Sequence, residues 1–259
     1  MLNIVSFSGD SSAIENLKDN PLGLGDLFSH EVLSQLQAVR DMNSDNIIIR
    51  NVPTPFAFDE TPQKIHGSIP DIFPKYLIEI LGSYFGEISE KMVENSIRFV
   101  VDEKGATNVE TWHGHPQFSF SIFYCLRGDK NAKTYFLSAH DIMAQAGEEK
   151  RGMLLASGLL KQVEGGYEFS KELYQPSDFQ QYIENLDLPD TTKSLNMNKE
   201  DEAFRYLLRC MVDAEESIVY QSGDVAVYNE RQTMRFSPSY IPSTKDGEGR
   251  WLLGVGVRV

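Results

Sequence analysis

A run in the middle of the chain, residues 117–126, alternates polar and apolar side chains with a period of two. Successive side chains of an extended strand point to opposite faces, so Phe118, Phe120, Ile122 and Tyr124 are predicted to share one face. An amphipathic helix would instead repeat its apolar positions every three or four residues. The segment therefore predicts a β-strand at the centre of the fold.

Apolar residues recur at helical spacing in the first third of the chain and again after residue 200, and the other late segments favour strands. Long early helices with late antiparallel strands predict an α+β fold with a barrel-like core. The predicted helices are 26–39, 71–92, 141–148 and 200–216, and the predicted strands are 46–52, 117–126, 133–138, 217–220, 225–228 and 251–259.

The charge of the chain excludes two classes of partner. Its 259 residues carry a formal charge of −14, and the basic residues are scattered. Phosphate backbones and anionic membranes need clustered Lys and Arg, so neither nucleic acid nor a membrane surface is an expected partner. No stretch approaches the roughly 18 apolar residues of a membrane helix, and the first ten residues lack a basic signal-peptide region.

Two cysteines, Cys125 and Cys210, make no disulfide framework, which is typical of a reducing compartment, and a cytoplasmic location is expected. The length fits one large domain or two small ones, and we predict a single domain spanning 1–259. We expect an N-terminal helical region at 1–44 and a core at 45–259, with a helical insert at about 139–216.

Two segments carry candidate site residues. The first, 110–116, reads Glu-Thr-Trp-His-Gly-His-Pro, so His113 and His115 share a face if the segment is extended. The second, 223–234, reads Gly-Asp-Val-Ala-Val-Tyr-Asn-Glu-Arg-Gln-Thr-Met and is followed by Gly-Arg-Trp-Leu-Leu at 249–253. No histidine follows His140 in the sequence, which limits the metal ligands available to the second segment.

These segments resemble the clavaminate synthase-like and taurine dioxygenase-like iron(II)/2-oxoglutarate oxygenases over about residues 45–259. The family has a His-x-Asp/Glu motif, a Thr on the next strand, a late Asn-x-Arg-x-x-His segment and an Arg-Trp-Leu strand. Asn229 and Arg231 match the Asn-x-Arg part. The resemblance implies a double-stranded β-helix, or jelly roll, with flanking helices. It also implies a small-molecule substrate, an amino acid or amino-acid-derived metabolite, with iron(II) and 2-oxoglutarate as cofactors.

The resemblance also implies roles for individual residues. His113 matches the first metal histidine, His115 stands where the family has its carboxylate, and Met234 falls on the position of the second histidine. Thr134 and Arg250 match the residues that hold 2-oxoglutarate. The candidate substrate-binding residues are Trp112, Gln117 and Arg235.

The departures from the family pattern change the metal site. A nonheme iron oxygenase uses two histidines and one carboxylate, whereas the thioether of Met234 is a poor ligand for iron(II). Three interpretations stay open: an oxygenase whose altered ligands are His113, His115 and a third group such as Met234 or Glu230, a metal-free barrel that binds a small molecule or a partner, and a copper(I) site. Met234 alone is most simply a core residue. Arg235 is either solvent-exposed or a fixed positive charge replacing the metal.

Alternation through the last strand predicts that Arg250 shares a face with Leu252, Gly254 and Gly256. An arginine with these neighbours is expected to point inward, where its fork can grip a carboxylate. The two glycines are expected to leave room for that ligand. The sequence therefore predicts an anion site inside the core, with the alternative that an internal carboxylate such as Asp224 or Glu230 pairs with Arg250.

Overall fold

The computed structural model describes residues 2–17, 19, 22–54, 73–88, 98–101, 117–170, 199–237, 243 and 249–259. The described helices are α1 (Ser11–Glu15), α2 (Leu24–Leu27), α3 (His30–Arg40), α4 (Phe73–Phe85), α5 (Ala139–Gln145), α6 (Glu148–Ala156) and α7 (Lys199–Val212). The described strands are β1 (Ile4–Ser6), β2 (Asn46–Arg50), β3 (Glu87–Ile88), β4 (Arg98–Val101), β5 (Phe120–Arg127), β6 (Lys133–Ser138), β7 (Leu160–Val163), β8 (Gly166–Phe169), β9 (Ser217–Val219), β10 (Val225–Asn229), β11 (Thr233–Phe236) and β12 (Trp251–Arg258). The predicted mixture of helices and strands is confirmed.

Most of these strands form two sheets. The larger sheet has the order β1-β2-β10-β5-β12-β3, with β4 also paired to β12, and the smaller has the order β11-β6-β9. All described pairs are antiparallel except β1–β2. From β9 onward the chain alternates between the sheets, because β9 and β11 lie in the smaller sheet and β10 and β12 in the larger. This connectivity differs from that of a doubly wound parallel sheet.

Side chains from both sheets meet in one cluster, so the sheets face each other. These inner residues come from β2, β5, β6, β9, β10 and β12 and from the residue that follows β9. Each strand contributes alternate side chains to the cluster, because successive side chains of a strand point to opposite faces. The cluster comprises Ile48, Cys125, Phe136, Ile218, Tyr220, Ala226, Tyr228 and Leu252.

The opposite face of the larger sheet packs against α1 to α4. Phe120, Ile122 and Tyr124 lie in this outer cluster, as their predicted common face requires. Phe118 does not share that face, because the strand begins only at Phe120 and the Phe118 ring lies over Gly256 on the inner side. Burial of this apolar face explains why the strand alternates so regularly.

The opposite face of the smaller sheet packs against α5, α6 and α7, and Leu137 and Met234 belong to this second outer cluster. The segment predicted as a helical insert, about 139–216, also contains the β7–β8 hairpin between α6 and α7. Within the described ranges, no helix combines the length and the apolar character that crossing a bilayer requires.

The two glycines of β12 make room for protein rather than for a ligand, which corrects the expectation from the sequence. A Cβ on Gly254 would lie 2.6 Å from the ring of Phe123, and a Cβ on Gly256 would lie 2.5 Å from the ring of Phe118. Both rings therefore occupy the space that the missing side chains leave, and the inner face of β12 is packed there.

Gly254→Ala is expected to lower the free energy of unfolding by about 1–3 kcal/mol, because the new methyl group forces the Phe123 ring to move. Urea denaturation measures this change. The matched control is Gly152→Ala in α6, where a Cβ meets nothing within 4 Å and helix propensity favours alanine. Equal stability of the two variants would show that Phe123 does not need the space.

Candidate functional site

The pairing of β6 with β11 decides which side chains enter the space between the sheets. Arg235 lies opposite Phe136, and Met234 lies opposite Leu137. Phe136 belongs to the inner cluster, whereas Leu137 and Met234 belong to the outer cluster beneath the helices. Arg235 therefore faces inward, and Met234 faces away from the interior.

This orientation corrects the prediction that Met234 supplies a metal ligand. Its side chain is fully buried in the apolar cluster formed with α5, α6 and α7, where it acts as a core residue. The motif match gives the position of Met234 along the chain but not the face of β11 on which it lies, and a shift of one residue turns every side chain of a strand to the other face.

The remaining predicted metal ligands, His113 and His115, and the candidate Trp112 lie outside the described residues. Gln117 is exposed, and its backbone carbonyl accepts a hydrogen bond from Arg258 Nε at 3.0 Å. In the described part of the chain, no group of three or more His, Cys, Asp and Glu side chains converges on a metal position. The described residues thus supply no iron site of their own.

The two residues predicted to hold 2-oxoglutarate meet in the interior. Arg250 is 5% exposed, and its Nη1 donates a hydrogen bond to Thr134 Oγ1 at 2.7 Å. Thr134 Oγ1 also lies 3.0 Å from Ser237 Oγ. The guanidinium carbon of Arg250 lies 5.4 Å from the ring centroid of Tyr220. A buried guanidinium beside two hydroxyl groups is a suitable environment for a carboxylate.

The turn between β5 and β6 holds the start of β12, a role that sequence reasoning missed. Arg127 Nε donates to the Gly249 carbonyl at 2.9 Å, and its guanidinium lies 4.1 Å from the Trp251 ring centroid. Asp129 accepts hydrogen bonds from both the backbone nitrogen and the hydroxyl of Ser243, each at 2.8 Å. These contacts hold the inward arginine in place, because it lies between Gly249 and Trp251 in the sequence. The Arg-Gly-Asp turn at 127–129 was the available signal.

A second arginine enters the interior from β11. Arg235 Nη2 lies 2.6 Å from Glu230 Oε1, and both side chains are almost completely buried. The Arg235 guanidinium lies 4.8 Å from the ring centroid of Tyr228 and 5.1 Å from that of Phe123. The Tyr228 hydroxyl is hydrogen-bonded to that of Tyr220. Glu230, one of the possible third metal ligands, is therefore an ion-pair partner of Arg235.

Both arginines act on the same tyrosine. Burial raises the pKa of the Tyr220 hydroxyl well above its usual range, and the positive charges of Arg235 and Arg250 partly oppose that increase. Tyr220 therefore remains a neutral hydrogen-bonding group at physiological pH. Because each charge is close enough to affect it, the two guanidinium groups share one electrostatic environment.

The buried carboxyl group of Asp45, which precedes β2 and lies beside the end of β6, was also not predicted from the sequence. Asp45 accepts a hydrogen bond from the Ser138 hydroxyl, and its Oδ1 lies 3.7 Å from His140 Nε2. Gln232 Nε2 lies 3.2 Å from the same ring nitrogen. Burial raises the pKa of Asp45, although the Ser138 hydrogen bond and the His140 charge act in the opposite direction. This cluster ties the start of β2 to the end of β6.

Asp45→Asn is expected to make the free energy of unfolding less dependent on pH. Because the folded-state pKa of Asp45 is raised, its stabilising contribution is present below the unfolded value of 3.8 and is lost as pH rises through the folded value. Asparagine has no such titration. Urea denaturation at a series of pH values measures the slope, with Glu15→Gln on exposed α1 as the control. A slope identical to that of the parent protein would contradict this assignment.

No family model matches this chain, and no curated protein sequence matches it. Solved structures do match. Non-heme iron oxygenase OrfP in complex with Fe and α-ketoglutaric acid is 15% identical with a TM-score of 0.69, covering 100% of this chain and 94% of that one. Asparagine oxygenase in complex with Fe(II), 3-hydroxyasparagine and succinate is 15% identical with a TM-score of 0.69, covering 98% and 93%.

OrfP in complex with Fe and L-Arg is also 15% identical, with a TM-score of 0.67 and coverage of 98% of this chain and 93% of that chain. The resemblance to iron and 2-oxoglutarate oxygenases, first suggested by short motifs, is therefore confirmed at the level of the fold. At this identity the likeness shows a shared fold, and the activity has to be argued from the residues of this chain.

Proposed function

We propose that this protein is an atypical nonheme oxygenase that binds 2-oxoglutarate between its two sheets and acts on an amino acid or an amino-acid-derived metabolite. The observation that carries the proposal is the buried Arg250–Thr134 pair, 2.7 Å apart, inside a fold shared with non-heme iron oxygenases. The substrate class is supported by the ligands of the structural neighbours, which include L-Arg and 3-hydroxyasparagine.

The proposal includes a double-stranded β-helix as the core. Its support is the order β4-β12-β5-β10 in one sheet facing β11-β6-β9 in the other. Strands that alternate between two facing antiparallel sheets are the hallmark of a jelly roll. In this arrangement the inward residues of β6, β11 and β12 line a single interior.

The residues present fit 2-oxoglutarate better than they fit iron. Arg250, Thr134 and Ser237 would hold one carboxylate of 2-oxoglutarate through a guanidinium fork and hydroxyl groups. Iron would depend on His113 and His115, since Met234 faces the outer cluster. When bound, iron supplies the oxygen chemistry of such a site. The described residues bind and orient the carboxylate and keep its surroundings apolar through Tyr220.

An anaerobic titration with ferrous iron and 2-oxoglutarate tests the proposal. A weak visible charge-transfer band is expected when both are present, and neither ferrous iron alone nor 2-oxoglutarate alone should produce it. On admission of oxygen, the amino acids L-Arg and L-Asn are then screened for succinate formation. Absence of both the band and 2-oxoglutarate binding would overturn the proposal.

A metal-free binding protein is the second candidate function. Two observations motivate it: Met234 faces the outer cluster, and the interior contains the buried ion pair between Arg235 and Glu230. For this candidate, calorimetry should detect 2-oxoglutarate binding while the charge-transfer band and succinate formation both stay absent. The same two measurements therefore separate the candidates.

A further inference from the structure

Two buried guanidinium groups are linked through a pair of tyrosines. Arg250 lies over the ring of Tyr220, Arg235 lies over the ring of Tyr228, and the two phenol hydroxyls are hydrogen-bonded to each other. Both arginines are 5% exposed. A second inward arginine is not needed for the single carboxylate that Arg250 and Thr134 would hold.

Arg235 stands on the strand where the motif match expected a metal ligand. A guanidinium group is always protonated and offers five donors in a planar fork, so it is a permanent cation that needs no metal loading. It cannot coordinate a metal, because it has no acceptor lone pair at physiological pH. The strand therefore presents a fixed positive charge to the interior, and the charge is stacked on Tyr228 and Phe123.

We propose that Arg235 and Arg250 together form a metal-independent site for a dicarboxylate, with Glu230 as an internal carboxylate that competes for Arg235. The ligand class rests on the proposed function, since 2-oxoglutarate has one carboxylate for each guanidinium group. Arg250 and Thr134 bind one end of the ligand, and Arg235 binds the other. In this site, affinity does not depend on chelation by iron.

The carboxylate of Glu230 competes with the ligand for Arg235, so substitutions at these two residues are expected to change ligand affinity in opposite directions. Its carboxylate already lies 2.6 Å from Arg235 Nη2, so an incoming carboxylate must share or displace that contact. Replacing Glu230 with glutamine keeps a hydrogen-bonding group of similar shape and removes the competing charge. Glu230→Gln is therefore expected to strengthen dicarboxylate binding, whereas Arg235→Gln is expected to weaken it. A purely structural ion pair would not produce opposite effects on ligand affinity.

The first experiment compares the parent protein in chelator with the same protein loaded with ferrous iron under anaerobic conditions. Calorimetry with 2-oxoglutarate is expected to give dissociation constants within about threefold of each other. Glutarate, which lacks the keto group, is expected to bind in chelator with similar affinity. Butyrate, which has a single carboxylate, is expected to bind at least about tenfold more weakly.

The second experiment uses variants in chelator. Arg235→Gln is expected to weaken 2-oxoglutarate binding at least about tenfold, and Glu230→Gln to strengthen it by about threefold or more. Because Arg235→Gln leaves Glu230 buried beside a neutral group, its folding can fail. The double variant Glu230→Gln, Arg235→Gln removes both charges and should bind as weakly as the single Arg235 variant. Arg209→Gln on the exposed side of α7 is the matched control.

The outcomes separate this inference from the proposed function. Binding of 2-oxoglutarate that requires ferrous iron would overturn the two-arginine site and leave the proposed oxygenase intact. Binding in chelator that survives the double variant unchanged would also overturn it, because Arg235 would then have no part in the site. Absence of binding with or without iron would overturn both proposals.

Discussion

Arg250→Ala is expected to weaken 2-oxoglutarate binding by roughly 30-fold to several thousand-fold, because truncating one partner of a buried charged hydrogen bond costs about 2–5 kcal/mol. The side chain is buried, donates a hydrogen bond to Thr134 and lies at the start of β12, on its inner face. Calorimetric titration with 2-oxoglutarate and with carboxylate-bearing amino acids measures the change. Arg250→Lys keeps the charge but loses the fork, so an intermediate affinity is expected.

The matched control for that experiment is Arg258→Ala at the other end of β12. Arg258 is exposed, and its Nε donates a hydrogen bond to the backbone carbonyl of Gln117 at 3.0 Å. Its replacement should leave 2-oxoglutarate affinity within about twofold of the parent value. If every ligand of the parent protein binds Arg250→Ala equally well, Arg250 is a structural residue and the anion site does not exist.

Met234→His is expected to lower the free energy of unfolding by about 2–4 kcal/mol without creating an iron site. The imidazole would be buried in the apolar cluster beneath α5, α6 and α7, facing away from the interior. Chemical denaturation and ferrous iron titration measure the two effects. Met234→Leu is the volume control and should cost less than about 1.5 kcal/mol.

A histidine placed one residue later on β11 would point into the interior instead of toward the outer cluster. Arg235→His puts an imidazole on the inner face of β11, opposite Phe136. If a histidine on this strand can complete a metal site, it is expected to do so from position 235 and not from Met234. Ferrous iron affinity that increases in Met234→His but not in Arg235→His would show that the facing of β11 is reversed.

Local patterns in the sequence determined several features without tertiary information. The alternation of β5 predicted the common face of Phe120, Ile122 and Tyr124, because burial of one face of a sheet requires a period of two. The same logic predicted that Arg250 and Leu252 share a face, and the structure places both on the inner side of β12. Serine is a favoured residue type at a helix N-cap, and the hydroxyl of Ser138 accepts a hydrogen bond from Asp141 N at the start of α5.

Only the tertiary structure decided which face of a short strand points inward. β11 has four residues, buried on both faces, so its hydrophobic pattern cannot distinguish an inward Met234 from an inward Arg235. Its pairing with β6 determines that Arg235 points inward, because Arg235 lies opposite Phe136 and Phe136 belongs to the inner cluster. Long-range contacts likewise decided that Phe123 fills the space beside Gly254. Composition and spacing identify which residues are available for a site, whereas strand register determines which of them meet.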